Sequence, residues 1–193
     1  MPSAPITSDA MSYITSNWFA SNFYAPEDIS FTSDPIDTNS TNTVLKVNYP
    51  AGSYAPVGTK NGNGGVKGGA EFYSLPNGQT EYNTALLRYD VAFDSNFDWV
   101  KGGKLPGIFG GDISQGCSGG AGEAYAYIPT SDSLCNSKQV ICNSDYGTSF
   151  SRGVIRFSTM KWSQIEIYVK LNSGSNSNGI LEQSKSWCIQ YDV

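Results

Sequence analysis

An all-β fold of two packed antiparallel sheets is predicted for this chain, and three observations predict it. Short stretches alternate apolar and polar side chains with period two, as in TVLKVNY at residues 43–49 and SQIEIYVKL at residues 163–171. Glycine, proline and asparagine separate these stretches and supply the turn conformations that other residues resist. Charged residues are only 15% of the 193, while 39% are hydrophobic and 13% aromatic, enough to bury a core.

Residues 1–42 are expected to form an N-terminal segment with one short helix at residues 8–19 and a polar loop at 32–43. Strands are expected to begin at Thr43, and residues 43–193 to form the β domain. After the first alternating stretch, NGNGGVKGG at 61–69 makes a glycine-rich loop before a short strand at 70–74. That loop fits neither of the phosphate-cradling glycine patterns. Along residues 87–97, Leu87, Tyr89, Val91, Phe93, Ser95 and Phe97 share one parity, and Arg88, Asp90, Asp94 and Asn96 share the other, the pattern of a half-buried strand. This strand leads to Gly102-Gly103-Lys104, a turn that presents a lysine on a shaped loop, with Pro106 fixing the chain beyond it. Further strands are expected at 123–128 (EAYAYI), 153–157 and 163–171. Cys135 and Cys142 flank a short polar loop that a local disulfide would staple, and their spacing is not that of a C-x-x-C redox or metal motif.

Histidine is absent, which excludes Ser-His-Asp and Cys-His nucleophile systems and histidine-ligated zinc. A general base near neutral pH must then be a tyrosine, a lysine or a carboxylate. The net charge of −5 argues against a nucleic-acid partner but leaves room for a local cationic groove. Lys60, Lys67, Arg88, Lys101 and Lys104 supply five of the twelve basic residues and cluster in sequence around the glycine-framed turn. Tyr125 and Tyr127 are two apart on the expected strand, so both phenols share a face, although such a pair more commonly just packs a sheet. Asp90, Asp94 and Asp98 recur at four-residue spacing; a paired-carboxylate hydrolase or a calcium site is conceivable, but residues so placed are most often solvated. No apolar run is long enough to span a membrane. The N-terminus shows no basic region followed by an apolar core, so no secretory signal peptide is read there. Asn39-Ser40-Thr41 is an N-glycosylation sequon, in agreement with an extracellular location.

Four motifs carry a resemblance: YPAGS at 49–53, the run YDVAFDSNFDWVKGGKLPGIFGG at 89–111, CSGG at 117–120, and AGEAYAYIP at 121–129. Together, and in this order, they resemble the fungal and algal-virus polysaccharide lyases of the alginate lyase and glucuronan lyase type, families 14 and 20. The resemblance implies a β-jelly-roll sandwich of two antiparallel sheets with a concave substrate cleft. It also implies β-elimination on an acidic polysaccharide, a polyuronate, by an extracellular monomer that requires no cofactor. A structural calcium is the one metal this reading leaves open. Lys104 is assigned to base or carboxylate-stabilising duty, Tyr125 and Tyr127 to proton transfer and sugar binding, and Arg88 and Lys101 to substrate binding.

The chain departs from the family in two places. Between CSGG and the tyrosine strand the family carries one more strand, with an arginine that helps bind the uronate; here Gly120 runs straight into Ala121. That leaves Cys117 without its usual disulfide partner, with Cys188 either pairing with it or free. After Leu171 the family continues into a final hairpin, where this chain reads NSGSNSNG and then ILEQSKSWCIQYDV. The missing strand favours, as the alternative to an active lyase, a degenerate lyase-like carbohydrate-binding protein. A glycoside hydrolase is third.

Overall fold

The computed structural model describes residues 1–53, 65–78, 82–99, 105–109, 124–126, 130–144, 147–150 and 155–187, with the backbone alone for 124–126 and 185–187. The chain divides into two compact units, Met1–Tyr82 and Asn83–Val193.

The first unit is built on the expected helix, α1, Ala10–Trp18. Asp9 caps it: its Oδ1 accepts from the Ser12 amide at 3.3 Å and from the Ser12 hydroxyl at 2.9 Å. Ala10 and Ile14, four apart on one face, are buried, and Phe19 ends the helix in the left-handed region at φ 52°. Strand β1, Ala20–Tyr24, pairs with β4, Glu71–Ser74, across a bulge at which Asn22 takes φ 54°, a conformation asparagine tolerates better than most residues. Strand β2, Ile29–Ser33, pairs in full register with β3, Thr43–Val47, and Ile6 bridges Phe31 through two 2.9 Å backbone bonds. Strands thus begin at Ala20 rather than at Thr43. The core gathers Phe31, Ile14, Ala10, Ala20 and Ile29. Tyr13 and Trp18 meet the Phe31 ring edge-on at 5.1 and 5.9 Å.

Asp28, at the end of the 3-10 turn Pro26–Asp28, is buried, and its Oδ2 has no hydrogen-bond partner among the described residues. Burial first, and then the neighbouring Glu27 carboxylate, raises its pKa above the ordinary aspartate value. The folded state therefore binds the Asp28 proton more tightly than the unfolded chain does. The stabilising contribution of that proton is complete below the unfolded value and is lost as pH rises through the folded one. Asp28→Asn is expected to stabilise the chain by about 1 kcal/mol at neutral pH and to flatten this part of the stability profile, as urea melts across pH would show.

In the second unit, β9, Ser163–Lys170, lies between β5, Thr84–Val91, and β10, Ile180–Trp187, in a three-stranded antiparallel sheet. Residues of β5 alternate strictly, with Ala85, Leu87, Tyr89 and Val91 half-buried and Thr84, Leu86, Arg88 and Asp90 exposed, which is the predicted parity. The strand stops at Val91 instead of Phe97 because Asp94 folds the chain into a turn. Its Oδ1 accepts from the Asn96 amide at 2.8 Å, and its carbonyl from the Phe97 amide at 3.1 Å. The departure expected after Leu171, the loss of the final hairpin, is not borne out: the chain turns back and pairs all of β10 with β9, because the ladder of backbone bonds does not need the apolar alternation that residues 180–187 lack.

A second three-stranded sheet orders β6, Ala124–Ala126, β8, Gly147–Phe150, and β7, Val140–Asn143. A short helix, α2, Asp132–Cys135, is capped by Ser131 and stapled to β7 by the predicted Cys135–Cys142 disulfide. The strand expected at 153–157 is not one in its described residues, 155–157, which lead instead to a single bridge between Thr159 and Phe93.

The chain is thus rich in antiparallel strands, but among the described residues they pair in four small sheets of two, three, two and three strands rather than in two continuous ones. The junction from CSGG to the tyrosine strand, together with Cys117 and Cys188, lies outside the described residues.

Candidate functional site

Lys104, Lys101 and Tyr127 lie outside the described residues. What the structure does define is the approach to the lysine turn. Where β5 ends, Phe93, Phe97 and Trp99 form a triangle of rings with centroids 4.7, 4.7 and 4.8 Å apart, and Phe157 backs Phe93 at 5.3 Å. The Met160 amide donates to the Phe93 carbonyl at 2.8 Å. These ring contacts tie residues 93–99 to one another and to Phe157, with the Trp99 ring itself half-exposed. Alternation alone could not signal this, because Trp99 falls past the end of the strand.

Tyr125 is the middle residue of β6, in register with Ser149 of β8. Ser149 and its neighbour Thr148 are buried polar residues, and the Ser149 hydroxyl has no hydrogen-bond partner among the described residues. Arg88 and Tyr125 sit in separate sheets. Arg88 projects from the exposed face of β5, and its Nε donates to Glu166 Oε1 on β9, directly across the ladder. The other Glu166 oxygen accepts from the Ser184 hydroxyl at 3.4 Å. This partnership spans 78 residues of sequence and could not be read from the strand containing Arg88. With the two side chains 59% and 29% exposed, solvent screens the pair. A double-mutant cycle on Arg88→Gln and Glu166→Gln is expected to give a coupling below about 1 kcal/mol that shrinks further in high salt.

The same outer face holds a depression of about 510 Å³ lined by Leu86, Glu166, Tyr168, Glu182, Gln183 and Ser184. Of its two carboxylates, that of Glu166 is already matched by the Arg88 guanidinium. Asp90 accepts from Gln164 Nε2 at 3.4 Å, and Asp94 is occupied in its turn. Among the described residues no three potential ligands gather to hold a metal ion. Tyr89 faces the other side of the sheet, and burial pushes its phenol well above the ordinary tyrosine range, so it stays protonated at any working pH.

Two of the sequence motifs meet in the first unit. Ser53, the last residue of YPAGS, bridges Val66, and the Gly69 amide donates to the Asn48 carbonyl at 2.8 Å. A Cβ at Gly68 would lie 2.2 Å from Ser53 Oγ, and one at Gly69, whose φ is +80°, would lie 2.9 Å from the Tyr49 ring. Both positions therefore require glycine, a constraint of packing that the glycine-rich composition of the loop did not reveal. Lys67, beside them, pairs with Glu27 at 3.4 Å on the surface. Lys60 lies outside the described residues.

The profile of the family described as Polysaccharide lyase 14 matches residues 37–187. The crystal structure of the marine PL-14 alginate lyase from Aplysia kurodai is similar to this chain, with a TM-score of 0.69 and 26% identity, over 97% of this chain and 82% of that one. No curated protein matches the sequence.

Proposed function

The chain belongs to polysaccharide lyase family 14, and from that membership we propose that it cleaves a polyuronate, alginate or glucuronan, by β-elimination. The observation that carries this reading is the match over residues 37–187, which takes in β5, the Lys104 turn and the Tyr125 strand. In this reading the strands belong to a β-jelly roll whose concave face binds the acidic polymer, and the protein works as an extracellular monomer without a cofactor. The solved relative is an alginate lyase by name, which makes alginate the first polymer to try.

Elimination removes the proton on C5, expels the oxygen on C4 and leaves a C4–C5 double bond. The C5 proton is acidic only when charge developing on the C6 carboxylate is stabilised, a task for a fixed cation. Lys104 on its glycine-framed loop fits that task or the removal of the proton itself. Tyr125 and Tyr127 suit proton transfer, including donation to the departing C4 oxygen, since a phenol is both a donor and an acceptor. Arg88 and Lys101 would hold uronate carboxylates at neighbouring sugars, and Arg88 would do so by exchanging its Glu166 partner.

Purified protein mixed with polymannuronate, polyguluronate or glucuronan is expected to raise the ultraviolet absorbance of the new double bond with one of them. New reducing ends without the chromophore would indicate a hydrolase instead. Binding without any product, from a folded sample, would indicate a degenerate carbohydrate-binding protein.

A further inference from the structure

The sequon Asn39-Ser40-Thr41 has no part in lyase chemistry, and it is the sole N-x-Ser/Thr in the chain. It lies in the loop joining β2 to β3, and other groups hold that loop. Asp34 Oδ1 accepts from the Ile36 and Asp37 amides at 2.8 and 3.1 Å. Asp37 Oδ1 accepts from the Asn39 amide at 3.2 Å, and the Asp37 carbonyl from the Ser40 amide at 3.0 Å. The half-buried Ser40 accepts from the Asn42 amide at 3.1 Å. Asn39 and Thr41 are both exposed, and neither side chain makes a hydrogen bond among the described residues. The acceptor carboxamide and the hydroxyl two residues on, the two groups a sequon must offer, are therefore both presented to solvent on a loop whose shape depends on neither.

We propose that Asn39 is the acceptor of a single N-linked glycan. In the transfer, Asn39 Nδ2 bonds to the anomeric carbon of a polyprenyl-diphosphate-linked oligosaccharide. The bond from that carbon to the diphosphate oxygen breaks, the polyprenyl diphosphate leaves, and the amide gives up one proton. The inference rests on the extracellular reading of the chain and not on its lyase activity, so each stands or falls without the other.

The test is cell-free translation of the full chain, behind a cleavable leader, in the presence of yeast microsomes, reading only chain protected from added protease. Wild type is expected to carry one oligosaccharide that peptide-N-glycosidase removes. Asn39→Gln and Thr41→Ala are each expected to run at the unmodified mass, and Asn42→Gln to retain the glycan. Protected wild-type chain at the unmodified mass, or a glycan that survives Asn39→Gln, would overturn the assignment. Folding of the variants does not enter the readout, because modification is scored on imported chain.

Discussion

Lys104→Ala is expected to lower the rate of unsaturated-product formation by about 10²–10⁴-fold while leaving the melting temperature close to that of the wild type. The argument begins with what the chain lacks. Without histidine, the cation that stabilises the C6 carboxylate and the base that takes the C5 proton must come from lysine, arginine, tyrosine or a carboxylate. The described carboxylates near β5 are engaged elsewhere: Glu166 holds Arg88, Asp94 holds its own turn, and Asp90 faces Gln164. Lys104 lies five residues beyond Trp99, whose half-exposed ring contacts Phe93 and Phe97. Lys104→Arg separates the two duties. Arginine keeps the positive charge but cannot give up its proton at working pH, so it can stabilise a carboxylate and cannot act as a base. Partial activity in Lys104→Arg would assign the lysine to charge stabilisation and the proton to Tyr125 or Tyr127; activity as low as in Lys104→Ala would make lysine the base. A Lys104→Ala variant that still produced the chromophore at near wild-type rate would remove the lysine from the chemistry altogether.

Much of the fold was legible wherever side-chain pattern and backbone need coincided. Asp9 followed by Ala10 and Ile14 marks α1, the alternation of residues 43–47 marks β3, and the parity of Leu87, Tyr89 and Val91 marks the buried side of β5. The Cys135–Cys142 pair was readable because the loop between the two cysteines is short. What escaped prediction lacks such a pattern. Strand β8 buries Thr148 and Ser149, polar residues that give no apolar signal, and β10, ILEQSKSW, is held by its ladder to β9 more than by apolar alternation. Strand β1 hides behind a bulge at Asn22. Of the candidate site, residue types and motif order were legible, but partners distant in sequence were not: nothing local to Arg88 points to Glu166, and nothing local to Gly68 and Gly69 points to Ser53 and Tyr49.

Phe31→Ala is expected to carry the largest stability cost of any single core truncation in the first unit, about 3–5 kcal/mol. Phe31 is fully buried at the centre of β2. Two of its own backbone bonds tie the Ile6 segment to the strand, and its ring receives Tyr13 and Trp18, both carried by α1. Removing the ring therefore leaves a cavity at the place where the helix, the N-terminal segment and the β2–β3 pair all meet. The backbone around it is held by the Ile6 bonds and the full β2–β3 register, so it cannot collapse to fill the space, and the cavity cost adds to the lost transfer energy. Against a typical total of about 5–15 kcal/mol, this is enough to unfold an appreciable fraction of the chain at working temperature. Phe31→Leu, which keeps most of the volume, is expected to lose less than half as much, and Ile165→Val, in the second unit, about 0.5–1.5 kcal/mol. Urea melts of the three variants followed by far-ultraviolet circular dichroism give the comparison. A Phe31→Ala cost near that of Ile165→Val would mean that α1 can settle onto β2 without the ring, and that the first unit is held by its strand ladders rather than by this aromatic centre.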